Sequence, residues 1–124
     1  MSLDPSTATL DLECVAYKVC RDEGWPVERV DRVEREYRAF WQLIRNSNRV
    51  DQIAPTREID VFWHHHILDT AKYIKDCEAV FGGYLHHYPY SGIFSDEDAA
   101  IQSERVARSV SMIRDILTLS LIHI

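Results

Sequence analysis

The chain is predicted to be all-α: a bundle of four to five helices around one core, with an irregular loop rich in His, Tyr and Pro. Three observations predict this. Apolar residues recur at three- and four-residue steps in four stretches. The breakers, 4 Gly and 4 Pro, fall around those stretches. No segment alternates apolar and polar residues over a convincing strand length.

The first stretch runs from about Thr7 to Arg21, with Leu12, Val15, Ala16 and Val19 on one face. Gly24 and Pro26 end it. The second is the clearest. Val27, Val30, Val33, Tyr37, Phe40, Trp41 and Ile44 recur at helical spacing, and charged residues from Glu28 to Arg35 fill the opposite side. This helix is expected from Pro26 to about Asn46. Thr56 can cap a third helix carrying Ile59, Phe62, Trp63 and Ile67. Asp69 marks a restart, and residues 70–81 form its second half before Gly82 and Gly83 end it. Residues 84–94 lack periodicity and read as a loop folding back over the bundle. Ser95 then caps a last helix, with Asp96, Glu97 and Asp98 in its electropositive first turn. Val106, Val110, Ile113 and Leu117 form its expected buried stripe.

Composition narrows the functional classes. The chain has 124 residues, 46% hydrophobic and 27% charged, the balance of a soluble globular domain. Its 14 Lys+Arg against 20 Asp+Glu leave a net charge of −6, so it lacks a general attraction for nucleic acid or anionic lipid. Cys14, Cys20 and Cys77 form no C-x-x-C pair and are odd in number, which fits a reducing compartment. The first five residues carry neither the basic nor the apolar part of a signal peptide. No run approaches the roughly 20 apolar residues of a membrane span. A cytoplasmic protein that binds neither nucleic acid nor membrane is expected.

The last six residues, Leu119-Ser120-Leu121-Ile122-His123-Ile124, are what CTG TCT CTT ATA CAC ATC encodes. That DNA resembles a transposon mosaic-end adaptor of sequencing libraries. Residues 1–118 are therefore expected to form one helical domain, truncated at its C-terminus, and residues 119–124 to be an adaptor-derived tail.

Five of the six histidines fall between His64 and His87. Asp60 and His64 are four apart, so a helix places them on one face, one turn apart. There they can share a metal ion, or the carboxylate can fix the imidazole tautomer. His66 lies about 200° round the helix from His64 and joins the same ion only if the helix breaks near residues 65–69. His86 and His87 return after the glycine turn, where one of them can complete a site begun by Asp60 and His64. A carboxylate with two or three imidazoles suits zinc, iron or manganese, and three protein ligands leave room for water or substrate. The alternative is a buried hydrogen-bond network that pins the bundle. Tyr73, Asp76 and Cys77 share a face of the following helix. Cys77 lies near a helix C-terminus, where the dipole disfavours a thiolate, so it reads as a small buried hydrophobe. No G-x-S-x-G, P-loop, G-x-G-x-x-G or H-E-x-x-H is present.

The block from Ile59 to Thr70, followed by Tyr73, Asp76-Cys77, Phe81-Gly82 and Leu85-His86-His87, resembles the bacterial members of the glycine-rich domain-containing protein-like family. The matching positions are Asp60, Trp63, His64, His66, Tyr73, Asp76, Gly82 and His87, over about a quarter of the chain. The glycine-rich region that names the longer plant relatives is absent here, so their nucleic-acid and stress roles are not carried over. The resemblance implies a site at Asp60, His64, His66 and His87.

Two functions stay open at this stage. One is a divalent transition-metal protein, possessing metal-assisted hydrolysis or oxidation of a small-molecule substrate if it is an enzyme. Its ligands are Asp60, His64 and His87, with His66 as a fourth ligand or general base. Trp63, Tyr73, Asp76 and His86 then support those ligands. The other is a non-catalytic interaction module with a protein partner, in which the same block is structural.

Overall fold

A computed structural model describes residues 3–122, with side chains to residue 119. Six α-helices follow in order: α1 Pro5–Ala8, α2 Glu13–Glu23, α3 Val27–Asn46, α4 Arg57–Leu68, α5 Thr70–Phe81 and α6 Asp96–Ile122. A 3₁₀ turn, Val50–Gln52, precedes α4, and the described residues include no strand. The expected helical bundle is therefore the architecture.

The central helix is α3, which packs against α2, α4 and α6. Its first turns bury the predicted stripe at Val30, Val33 and Tyr37, but Val27, expected at its start, is exposed in the first turn. Further along, Ala39 through Ile44 are buried without interruption. A run of that length covers more than a full turn, so this end is enclosed on every side. Gln42 is buried there and usefully bonded. Its Oε1 accepts from the Asp4 amide at 2.7 Å and from the Thr7 hydroxyl, while its Nε2 donates to Asn46 Oδ1 at 2.9 Å.

The first predicted helix divides in two. α1 ends at Ala8, α2 begins at Glu13, and residues 10–12 form neither. The cause lies in packing. Leu10 and Leu12 are both buried, whereas one continuous helix would turn residues two apart to opposite sides. Arg38 from α3 donates to the carbonyls of Thr7 at 2.7 Å, which the Leu10 amide also reaches at 3.4 Å, and of Leu10 at 2.9 Å, where the helix is broken.

The α4–α5 joint falls at Asp69, as its position suggests. The Thr56 hydroxyl caps α4 by accepting from the Ile59 amide at 3.2 Å. Asp69 occupies the N-cap position of α5 but its side chain makes no capping bond. Gly82 ends α5 at φ 71°, in the left-handed region that glycine enters without strain.

The loop after Gly83 is tied down at both ends. Leu85 is buried, and the Asp98 carboxylate accepts from the amides of Gly92 at 3.0 Å and Phe94 at 3.3 Å. Ser95 caps α6 through the Asp98 amide at 3.0 Å. The buried face of α6 is rotated from the expected stripe. Ser109, Ile113 and Ile116 are buried, while Val106, Val110 and Leu117 are half-buried. Ser109 turns inward because its hydroxyl accepts the Ala54 amide at 3.0 Å, a buried donor that an apolar side chain would leave orphaned. Within the tail singled out above, the backbone continues α6 as far as Ile122; residues 123 and 124 lie outside the described residues.

No helix among the described residues is long and apolar enough to cross a membrane. The three cysteines are free, and Cys77 is fully buried, which pushes its thiol pKa up.

Candidate functional site

Two polar centres lie on opposite faces of α4. The first joins Asp60 and His64, one turn apart on α4, to His87 from the returning loop. One donor atom from each residue lies within 4.8 Å of the other two. His87 Nε2 is 2.6 Å from Asp60 Oδ1. His64 Nδ1 is 2.6 Å from the Asp60 carbonyl oxygen and 3.4 Å from Asp60 Oδ2. The two imidazoles approach at 4.8 Å between centroids. The side chains of His64, Asp60 and His87 are 54%, 35% and 17% exposed, so the group opens to solvent at His64 and closes towards the core at His87.

What holds His87 there is a relay through the core. The Trp63 indole N–H donates to the Tyr73 hydroxyl at 3.0 Å, and that hydroxyl donates to the Leu85 carbonyl at 2.6 Å. Burial raises the Tyr73 pKa and keeps the phenol protonated as the donor. The Trp63 ring also packs on the His87 ring at 4.4 Å. Trp63 and Tyr73 thus connect α4, α5 and the loop segment that carries His87.

The second centre is buried and built on His66, which has no exposed surface. Its Nε2 is 2.8 Å from Asp76 Oδ2, and Lys72 Nζ lies 2.9 Å from the same oxygen. Its Nδ1 is 2.7 Å from the Tyr37 hydroxyl. A carboxylate can only accept here, so Nε2 carries the proton and Nδ1 accepts from the phenol. Burial lowers the His66 pKa, against the opposing pull of Asp76, and raises that of Tyr37. Trp41 stacks on the imidazole at 5.1 Å and Tyr73 meets it edge-on at 5.0 Å.

This arrangement corrects the place expected for His66. It is neither beside His64 nor free to ligate, because both ring nitrogens are engaged. The helical break comes too late: α4 stays regular through Leu68, which leaves His66 on the far side from His64. Asp76 accordingly serves His66 and not the Asp60 group. His86 is exposed, packs on Tyr84 at 4.8 Å and is not among the three residues whose donor atoms converge. His65 bonds Glu23 Oε2 at 3.1 Å and joins α4 to α2. Sequence reasoning missed Tyr37 as the partner of His66. Its only signal was a hydroxyl-bearing residue within an otherwise apolar stripe.

Fold and site together define an all-helical protein with an open Asp/His/His group and a closed Tyr–His–Asp–Lys network. Residues 20–112 match the model of the UCP032817-like family, an uncharacterised family, and the chain belongs to it. This overturns the resemblance to the glycine-rich domain-containing family, which rested on a short block of spaced residues. No curated protein and no solved structure matches the chain.

Proposed function

We propose that Asp60, His64 and His87 form a binding centre for a divalent transition metal. The observation that carries this reading is the approach of three donor atoms, from two separate segments, to within 4.8 Å of one another. Donors sharing one zinc or iron ion at bond lengths of about 2.1 Å sit about 3–3.5 Å apart, so modest adjustment closes the set. Two imidazoles and one carboxylate suit zinc, iron or manganese.

The chain's own residues supply the positioning. An ionised Asp60 can only accept, so His87 Nε2 donates to it; ligation through Nε2 would require that nitrogen to give up its proton, which would also free the Asp60 oxygen. Trp63 and Tyr73 limit the motion of His87, and exposed His64 leaves the outer face open to water or a small substrate. A metal bound there supplies Lewis acidity or a redox centre, which is the basis for hydrolysis or oxidation as the reaction class.

The test is metal analysis and zinc titration of untagged protein. About one equivalent of metal is expected in the wild type, lost in His64→Ala. Less than about a tenth of an equivalent, unchanged by His64→Ala, removes the reading.

A second reading is a non-catalytic module, favoured by the 2.6 Å Asp60–His87 bond, which by itself latches the loop to α4. It predicts that Asp60→Asn lowers the melting temperature while chelator changes nothing. Metal bound only to the native state raises the melting temperature instead.

A further inference from the structure

A cavity of about 310 Å³ lies between α3, the 3₁₀ turn, α4, the returning loop and α6. Its size is at the low end of the roughly 300–1,000 Å³ typical of small-molecule sites. Phe40, Ile44, Trp63 and Leu85 line it, all buried and apolar in character. Exposed His86 and Tyr88 stand at its rim.

One cation enters this space. Arg105 of α6 lines the cavity, and its Nε is buried without a hydrogen-bond partner. No described residue supplies the guanidinium with an ion pair. A buried N–H left unbonded costs about 1–3 kcal/mol, more when it belongs to a charged group. An anion entering the cavity can pair with this guanidinium, whose planar fork is shaped for a carboxylate or phosphate. The charge inventory chooses between them. Asp51 also lines the cavity, and its carboxylate is already paired with Arg49 at 3.3 Å. A dianion would bring a second charge with no cation to meet it, beside a fixed carboxylate. A monoanion is matched by Arg105 alone.

We propose that this cavity binds a small monocarboxylate with an apolar body, its carboxylate on Arg105 and its body against Phe40, Trp63 and Leu85. This does not rest on the metal centre, although Trp63 borders both sites.

The test is titration of the full chain, in the presence of chelator, with phenylacetate, phenylacetamide and phenyl phosphate. It is followed by calorimetry and by the amide and indole N–H resonances. Phenylacetate is expected to bind one-to-one and to shift the Trp63 indole signal. Arg105→Gln is expected to weaken it at least tenfold, and the neutral amide to bind the wild type at least tenfold more weakly, as charge-assisted bonds require. The amide comparison needs no substitution, so it stands even where the variant fails to fold. Three results overturn the proposal: no saturable binding of phenylacetate up to about 10 mM, equal binding of acid and amide, or tighter binding of phenyl phosphate than of phenylacetate.

Discussion

The Tyr73 hydroxyl donates to the Leu85 carbonyl at 2.6 Å, and this bond fixes the loop two residues before His87. The same oxygen accepts the Trp63 indole N–H, so one atom ties α4, α5 and the loop together. Tyr73→Phe leaves a buried donor and a buried acceptor unpartnered. A loss of about 2 kcal/mol is expected in urea unfolding, with zinc affinity lowered about tenfold as His87 loosens. A Tyr73→Phe protein as stable as the wild type would show that the loop is held by packing alone.

His66 makes stability depend on pH in a defined sense. Its folded pKa lies below the ordinary 6.5, so the unfolded chain takes up the proton first as pH falls. The unfolded state then binds more protons, and stability rises with pH through the window below 6.5. The His66 contribution is fully present above 6.5 and is lost as pH drops towards the folded value. Urea midpoints measured across this range should fall on acidification, and His66→Gln should flatten the slope. An unchanged slope in that variant would assign the effect to another group.

His64 and His66 are two residues apart and should respond oppositely to alanine. His64 is 54% exposed, so His64→Ala is expected to stay within about 0.5 kcal/mol of the wild type while removing bound zinc. His66→Ala opens a buried space and strands Tyr37 and Asp76, costing about 3 kcal/mol. Paired urea melts and zinc titrations separate them. Loss of zinc in a folded His66→Ala, with retention in His64→Ala, would reverse the assignment.

Gly82 and Gly83 are equivalent by sequence but not by backbone. Only Gly82 has positive φ, at 71°, and neither has an atom within 4 Å of an added Cβ. Gly82→Ala should cost about 1 kcal/mol through strain. Gly83→Ala should be neutral or gain a few tenths of a kcal/mol by stiffening the unfolded chain. Thermal melts decide it, and equal effects at the two positions would mean that α5 ends differently.

Helical periodicity and residue spacing determined much of this protein. The stripe of α3, the stop at Gly82, the restart at Asp69 and the shared face of Asp60 and His64 all follow from neighbours within a few residues. Those relations are set by the turn of one helix, which a sequence carries intact. The family was not legible from the His block, because a few spaced side chains resemble more than one lineage; a match over residues 20–112 was needed.

Tertiary structure decided what each face meets. Tyr37 reaches His66 across 29 positions and Asp60 meets His87 across 27. Burial of both Leu10 and Leu12, with Arg38 on the Thr7 and Leu10 carbonyls, accompanies the break in the first predicted helix, and Ser109 lies on the rotated buried face of α6. These outcomes depend on how α3, α4 and α6 pack, where one buried polar group needing a partner outweighs the small local preference for continuing a helix. Local spacing could bring His66 close to the site in number, but the packing of α4 against α3 placed it on the other side.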